Sequence, residues 1–212
     1  MFRTNAWNRF RYTLWSPIYN LILRSARPMR RRSLELLKVQ PGERVLIVGA
    51  GTGLDLEFLP TEARVIATDL TAAMLRKLHK RAGSNVVPLL ADAQRLCFAD
   101  DSFDVVILHF IVAVVPDPIS TIREAARVLR PGGRAVVLDK FAPDDRGVPA
   151  VLRILNPVAN VLVTEVTRRL HPIVAATELQ ILREEPLSMG GFFKVAVLAK
   201  PPLANRATAG KG

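Results

Sequence analysis

From Arg44 onward the chain alternates short apolar runs with longer stretches of helical periodicity, and this alternation restricts the fold more than any other feature. RVLIVG, ARVIATD, NVVPLLAD, FDVVILHF and GRAVVLDKF read as strands. Helices are expected between them: from about Leu54, over Thr71 to Arg81, and over Pro118 to Leu129. Strands alternating with helices predict an α/β domain with a parallel sheet covered on both faces. QILREEPL and FFKVAVLAK read as two closing strands. The expected organisation is amphipathic helices over residues 1–40, the α/β domain over 41–200 with a helical insertion at about 145–180, and a disordered tail over 201–212.

The first strand stops on a turn with three glycines, Gly49, Gly51 and Gly53, in the segment RVLIVGAGTGLD. Glycines there let a ligand approach the backbone at the start of a helix. The spacing excludes two occupants. A dinucleotide fingerprint needs a glycine three residues after Gly51, where Leu54 stands, and the chain has no G-K-[ST] of a P-loop. Two acids sharpen the reading. Asp69 ends the second strand, where a carboxylate can accept hydrogen bonds from ribose hydroxyls, and Asp92 ends the third, where it can meet an adenine amine. Either acid alone could equally be a helix N-cap. Taken in order with the glycines, they predict an adenosyl group without a pyrophosphate.

Half of the 212 residues are hydrophobic, enough to bury one core. Cys97 is the single cysteine, which excludes an internal disulfide and a cysteine zinc site; no metal site is predicted. No apolar run is long enough for a spanning helix or a cleaved leader. The net charge of +11 is unevenly placed. Among the first 38 residues nine cations oppose only Glu35, which leaves eight of those charges at this end. Trp7, Phe10, Trp15 and Leu21 lie among the arginines, the composition of a helix on an anionic lipid surface. A solvated face or a nucleic-acid contact would also explain the charge, but stacking aromatics are scarce outside the N-terminus, so nucleic acid is disfavoured.

These segments together resemble the class I S-adenosylmethionine-dependent methyltransferases. VLIVGAGTG is similar to that family's first motif, VIATDL with AAMLRKL to its second, LLADAQRLCFADDSFDVVILHF to the segment covering adenine, and VLRPGGRAVVLDKF to the turn into strand five. The resemblance implies a Rossmann-like seven-stranded sheet, mostly parallel, with the last strand antiparallel. It implies S-adenosyl-L-methionine as cofactor, contacted by Tyr19, Gly49, Ala50, Gly51, Thr52, Gly53, Asp69, Leu70, Met74, Asp92, Ala93 and His109. Ile47 departs from the pattern, standing where the family usually carries an acid for the cofactor's ammonium. Tyr19, Asp55 and backbone carbonyls near Gly49 or His109 are the candidates to replace it.

Within the family, YTLWSPIYNLIL and AVVPDP are similar to the phospholipid N-methyltransferases and quinone C-methyltransferases. The resemblance implies a lipid or lipophilic acceptor, with phosphatidylethanolamine first and a quinone precursor as the alternative. It also implies a cytoplasmic enzyme bound peripherally to the inner face of the membrane. Methyl transfer needs alignment more than acid–base help. An ammonium acceptor must still lose a proton, and His109 at the end of strand four is the candidate base, with Tyr19 positioning the cofactor. Asp139 and Lys140 are expected at the pocket mouth, Glu165 and His171 farther off, and Arg27 and Arg30 to Arg32 are expected to attract lipid phosphate. A domain that keeps the fold without the cofactor is the non-enzymatic rival.

Overall fold

The computed structural model describes residues 26–141, 168–188 and 193–203. The helices expected before Ala26, most of the insertion and the tail from residue 204 lie outside the described residues, and with them Tyr19 and Glu165. In chain order the elements are α1 (Arg27–Leu37), β1 (Arg44–Val48), a 3-10 turn (Leu56–Phe58), β2 (Arg64–Asp69), α2 (Ala72–His79) and β3 (Val86–Leu90). They continue with β4 (Phe103–His109), α3 (Pro118–Val128), β5 (Leu129–Lys140), α4 (Leu170–Ala175), β6 (Gln180–Ser188) and β7 (Phe193–Ala199).

The strands form one seven-stranded sheet in the order β3-β2-β1-β4-β5-β7-β6. β1 pairs in parallel with both β2 and β4, so Ile47 lies between Ala67 and Ile107. β7 runs antiparallel to its neighbours β5 and β6. The chain moves outward from β1 to β3 and then returns to the other side of β1 with β4. That reversal leaves a crevice at the carboxyl ends of β1 and β4, where open α/β sheets bind ligands.

Alternate residues of each strand feed two cores. Leu46, Val106, Leu108, Val137 and Leu198 face α3 and α4. Val45, Ile47, Val105, Ile107, Leu138 and Val197 face α1 and α2. Burial on both faces explains why β4 reads as a continuous apolar run rather than an alternating one.

The expected helix from about Leu54 is replaced by the 3-10 turn. Only Leu54 to Ala63 are available before β2, Pro60 disfavours helix at Leu59, and Asp55 turns its side chain into the interior. A groove of about 790 Å³ remains there, lined by Leu56, Pro60, Val65, Arg81 and Asn85 among others. The groove runs from Gly53 and Leu54 of the glycine turn to Val65 and Asn85 near the amino ends of β2 and β3.

Pro28 lies in the first turn of α1, where a missing N–H costs nothing. The buried positions of this helix are Arg30, Ser33, Leu34 and Leu37. The spacing is that of one helical stripe, yet half of the stripe is polar. Lys38 ends the helix in the left-handed conformation, its N–H returning to Leu34 O at 3.0 Å. Arg134 of β5 donates to the last carbonyls, Leu37 O at 2.6 Å and Lys38 O at 2.5 Å, while gripping Glu43 at 2.8 Å. The C-terminal end of the helix is thus held to β5.

Candidate active site

The glycine turn follows β1 directly. Gly49, Gly51 and Gly53 all take positive φ, at 69°, 56° and 78°. Their surroundings differ. A Cβ on Gly49 would stand 2.7 Å from Ile111 Cδ1, and one on Gly53 would stand 2.9 Å from Leu78 Cγ. One on Gly51 would meet nothing within 4 Å. Gly49 and Gly53 are therefore needed by the protein's own packing, whereas Gly51 faces open space that a ligand can fill.

The turn is tied to β2 and α2. Ala50 N donates to Thr68 O at 2.8 Å, and Gly51 N donates to the Asp69 carboxylate at 2.9 Å. The other Asp69 oxygen accepts from Thr71 N at 2.8 Å, at the start of α2. Burial pushes the Asp69 carboxyl above its ordinary value, against those hydrogen bonds. Arg81 Nη1 donates to Thr52 O at 2.9 Å and closes the far side of the turn.

Asp92 follows β3, which ends at Leu90, two residues earlier than expected. Ala91 N donates to Asp69 O at 3.1 Å, so adjacent strands bring the two acids to the same edge. Leu70 is half-buried beside them, while Met74 and Ala93 are buried at 5% and 9% exposure. The open side of the turn at Gly51 and the carboxylates of Asp69 and Asp92 lie along one edge of the sheet. The expected residues from Gly49 to Gly53, with Asp69 and Asp92, are therefore brought together.

His109 is placed otherwise than a free base requires. It is 3% exposed, and both ring nitrogens are engaged: Nδ1 with Asp55 Oδ1 at 2.8 Å and Nε2 with Ser33 Oγ at 2.8 Å. Asp55 is 2% exposed and also takes Arg30 Nη1 on both oxygens at 2.7 Å. Burial works to raise the Asp55 carboxyl, but the charge of Arg30 and the partnership of His109 outweigh it and hold it far below the usual carboxylate range. Asp55 is thus spent inside the fold and does not replace the acid missing at Ile47.

The same pairing corrects the reading of Arg30, while Arg27, Arg31 and Arg32 stay exposed. Arg30 is buried and cannot reach a lipid, while Arg27, Arg31 and Arg32 pair with Glu57, Glu35 and Glu185. Sequence reasoning missed the roles of Arg30 and Ser33. The available signal was their helical spacing with Leu34 and Leu37, two polar side chains on an apolar stripe.

Asp139, at the end of β5, accepts from Ala113 N and Lys140 N at 2.8 Å each. With amides but no bonded cation around it, burial lifts its carboxyl to about 6. Lys140 is half-buried over the Phe193 ring, 5.7 Å from its centroid, and burial lowers its ammonium. His171 pairs with Glu184 at 2.9 Å, on α4 and β6 at the outer edge of the sheet.

A family model described as a methyltransferase domain matches residues 46–137. A phosphatidylethanolamine N-methyltransferase from Cereibacter sphaeroides is 34% identical over 169 residues, covering 77% of this chain and 83% of that protein. A demethylmenaquinone methyltransferase from Mycobacterium marinum is 36% identical over 188 residues, covering 82% and 79%. Among solved structures, geranyl diphosphate C-methyltransferase from Streptomyces coelicolor, bound to S-adenosyl-L-homocysteine, is similar in fold with a TM-score of 0.67 at 14% identity. That likeness covers 82% of this chain and 75% of the other.

Proposed function

Because the chain belongs to the S-adenosylmethionine-dependent methyltransferases, we propose that it transfers a methyl group to a lipophilic acceptor at a membrane surface, the amine of phosphatidylethanolamine. The observation that carries the acceptor is the likeness to the phosphatidylethanolamine enzyme over most of both chains. The basic, tryptophan-bearing N-terminus supports a membrane location. Among the described residues no helix is long and apolar enough to cross a membrane.

The cofactor, when bound, supplies a methyl on a sulfonium whose departure leaves a neutral thioether. The residues around the glycine turn bind and orient it. The Gly51 cradle gives backbone clearance, Asp69 offers carboxylate oxygens to ribose hydroxyls, and Asp92 offers one to an adenine amine. Ile47 is buried, and Asp55 is neutralised by Arg30, so neither holds the ammonium; backbone carbonyls near Gly49 or His109, and Tyr19 outside the described residues, are left as the groups to hold it. His109 keeps its ring within the fold, so the acceptor's proton leaves by another route. The chemistry asked of the protein is alignment in a dry crevice.

The test is transfer of labelled methyl from S-adenosylmethionine by the full chain, offered vesicles containing phosphatidylethanolamine and, separately, demethylmenaquinone in the same vesicles. Label in N-methylated phospholipid is expected. Label only in the quinone would establish the second reading, which the 36% identical relative favours. Label in neither acceptor, with cofactor bound, would sink the membrane-lipid assignment.

A further inference from the structure

Asp55 stands two residues beyond Gly53 and opens the 3-10 turn, yet its side chain caps nothing there. Its oxygens instead collect Arg30 from α1 and His109 from the end of β4. Since an ionised carboxylate can only accept, His109 Nδ1 donates to Asp55, and the Ser33 hydroxyl lies within hydrogen-bond distance of the other ring nitrogen, Nε2. The result is a four-membered chain, Arg30–Asp55–His109–Ser33, whose two ends lie on the same helix. All four residues are at most 5% exposed.

The connectivity is that of a Ser–His–Asp triad, but Ser33 is fully buried and no substrate can reach its oxygen. Helix packing alone does not account for the chain either. Arg30 Nε is buried without a partner among the described residues, and apolar side chains fill such a stripe without the desolvation cost of a buried ion pair. The feature that does call for a cation is the Asp55 carboxylate. The Arg30 guanidinium also lies 4.8 Å above the Phe110 ring, and Phe110 takes a left-handed φ of 58° immediately after His109.

We propose that Arg30, Asp55, His109 and Ser33 are positioning residues that couple the docking of α1 to the shape of the glycine turn, so that cofactor affinity depends on this helix being seated. This rests on the methyltransferase reading of the turn. The linkage is reciprocal: if a seated α1 favours the bound turn, the bound ligand must favour a seated α1.

Two measurements on the full chain test this. The first is hydrogen exchange with and without S-adenosyl-L-homocysteine, read in peptides covering residues 27–37. Slower exchange of α1 on binding is expected, although the turn and not the helix meets the ligand. The second is titration calorimetry and steady-state kinetics on Ser33→Ala, Arg30→Met and Arg30→Lys, each first shown to be folded by circular dichroism. Arg30→Met should weaken cofactor affinity at least about tenfold and Ser33→Ala about fivefold, with Arg30→Lys recovering part of the loss. KM for the cofactor should rise while kcat at saturation stays near the wild-type value, which a general loss of structure would not produce. Ligand binding that leaves α1 exchange unchanged, with Ser33→Ala within about twofold of wild type, would show the chain to be a structural clasp and nothing more. No binding by the wild-type chain at all would overturn the methyltransferase reading and this inference together.

Discussion

Two carboxylates, Asp55 and Asp139, are equally buried at 2% exposure, and burial pushes both upward; the neighbours of Asp55 outweigh that push and those of Asp139 do not. Asp55 has a guanidinium and an imidazole, and its acidity is strengthened; Asp139 has amides and no bonded cation, and its carboxyl rises to about 6. The pH signatures therefore have opposite signs. Asp139 holds its proton in the folded state over a range where the unfolded chain has lost it. Wild-type stability relative to Asp139→Asn should fall as pH rises from about 4 to about 6 and stay level above, a change of roughly 3 kcal/mol at most. Asp55 behaves inversely: its contribution is present above pH about 4, where unfolded aspartate ionises, and fades on acidification below that. Urea titrations of the two Asn variants across pH separate the effects. Gly51 yields a different kind of prediction, because its side of the turn is open. Gly51→Ala adds a Cβ at positive φ, costing about 1–2 kcal/mol of stability, and places a methyl in the cradle. Calorimetry should show cofactor affinity falling by more than the stability change accounts for.

Helix α1 joins the sheet through side chains that come from far along the sequence. Arg134 gathers its final carbonyls together with Glu43, and Arg30 and Ser33 meet the turn and the end of β4. Arg134→Ala frees two helix-terminal carbonyls and a carboxylate at once. Hydrogen bonds to charged groups contribute about 1.5–3 kcal/mol net, and water can replace part of this partly exposed cluster, so a loss of about 2 kcal/mol in urea unfolding is expected. The 3-10 turn shows the complementary case, where a segment is shortened by one inward-facing acid and one proline. Replacing Pro60 alone should not create a helix, since Asp55 still draws the backbone inward.

Across the whole molecule the basic end divides into two parts. Arg27 and Arg30 to Arg32 are paired with carboxylates of the fold, which leaves Arg3, Arg9, Arg11 and Arg24 as the cations of residues 1–25. At up to about 1 kcal/mol per charge near an anionic leaflet, those four suffice for reversible attachment when combined with Trp7 and Trp15. Deleting residues 1–25 should abolish flotation with anionic vesicles while keeping cooperative unfolding. Deleting residues 1–38 removes Arg30, Ser33, Leu34 and Leu37 and should abolish cooperative folding as well. If the shorter deletion still floats, the membrane contact lies elsewhere on the fold.

The order of the strands, the helices over Ala72–His79 and Pro118–Val128, the turn at Gly49 to Gly53 and the places of Asp69 and Asp92 at or just past their strands were legible in the sequence, because each depends on local periodicity or on residues close to its own strand. Read with the family resemblance, they also anticipated the seven-stranded sheet and its antiparallel member. The fate of Asp55, His109, Arg30 and Ser33 was not legible. Each is an unremarkable polar residue by itself, and what each one does is fixed by partners 25 to 76 positions away. Sequence reasoning made His109 a candidate base and Arg30 a lipid contact. Tertiary structure turned both inward, because a buried Asp55 carboxylate has to find its cation and its donor within the fold.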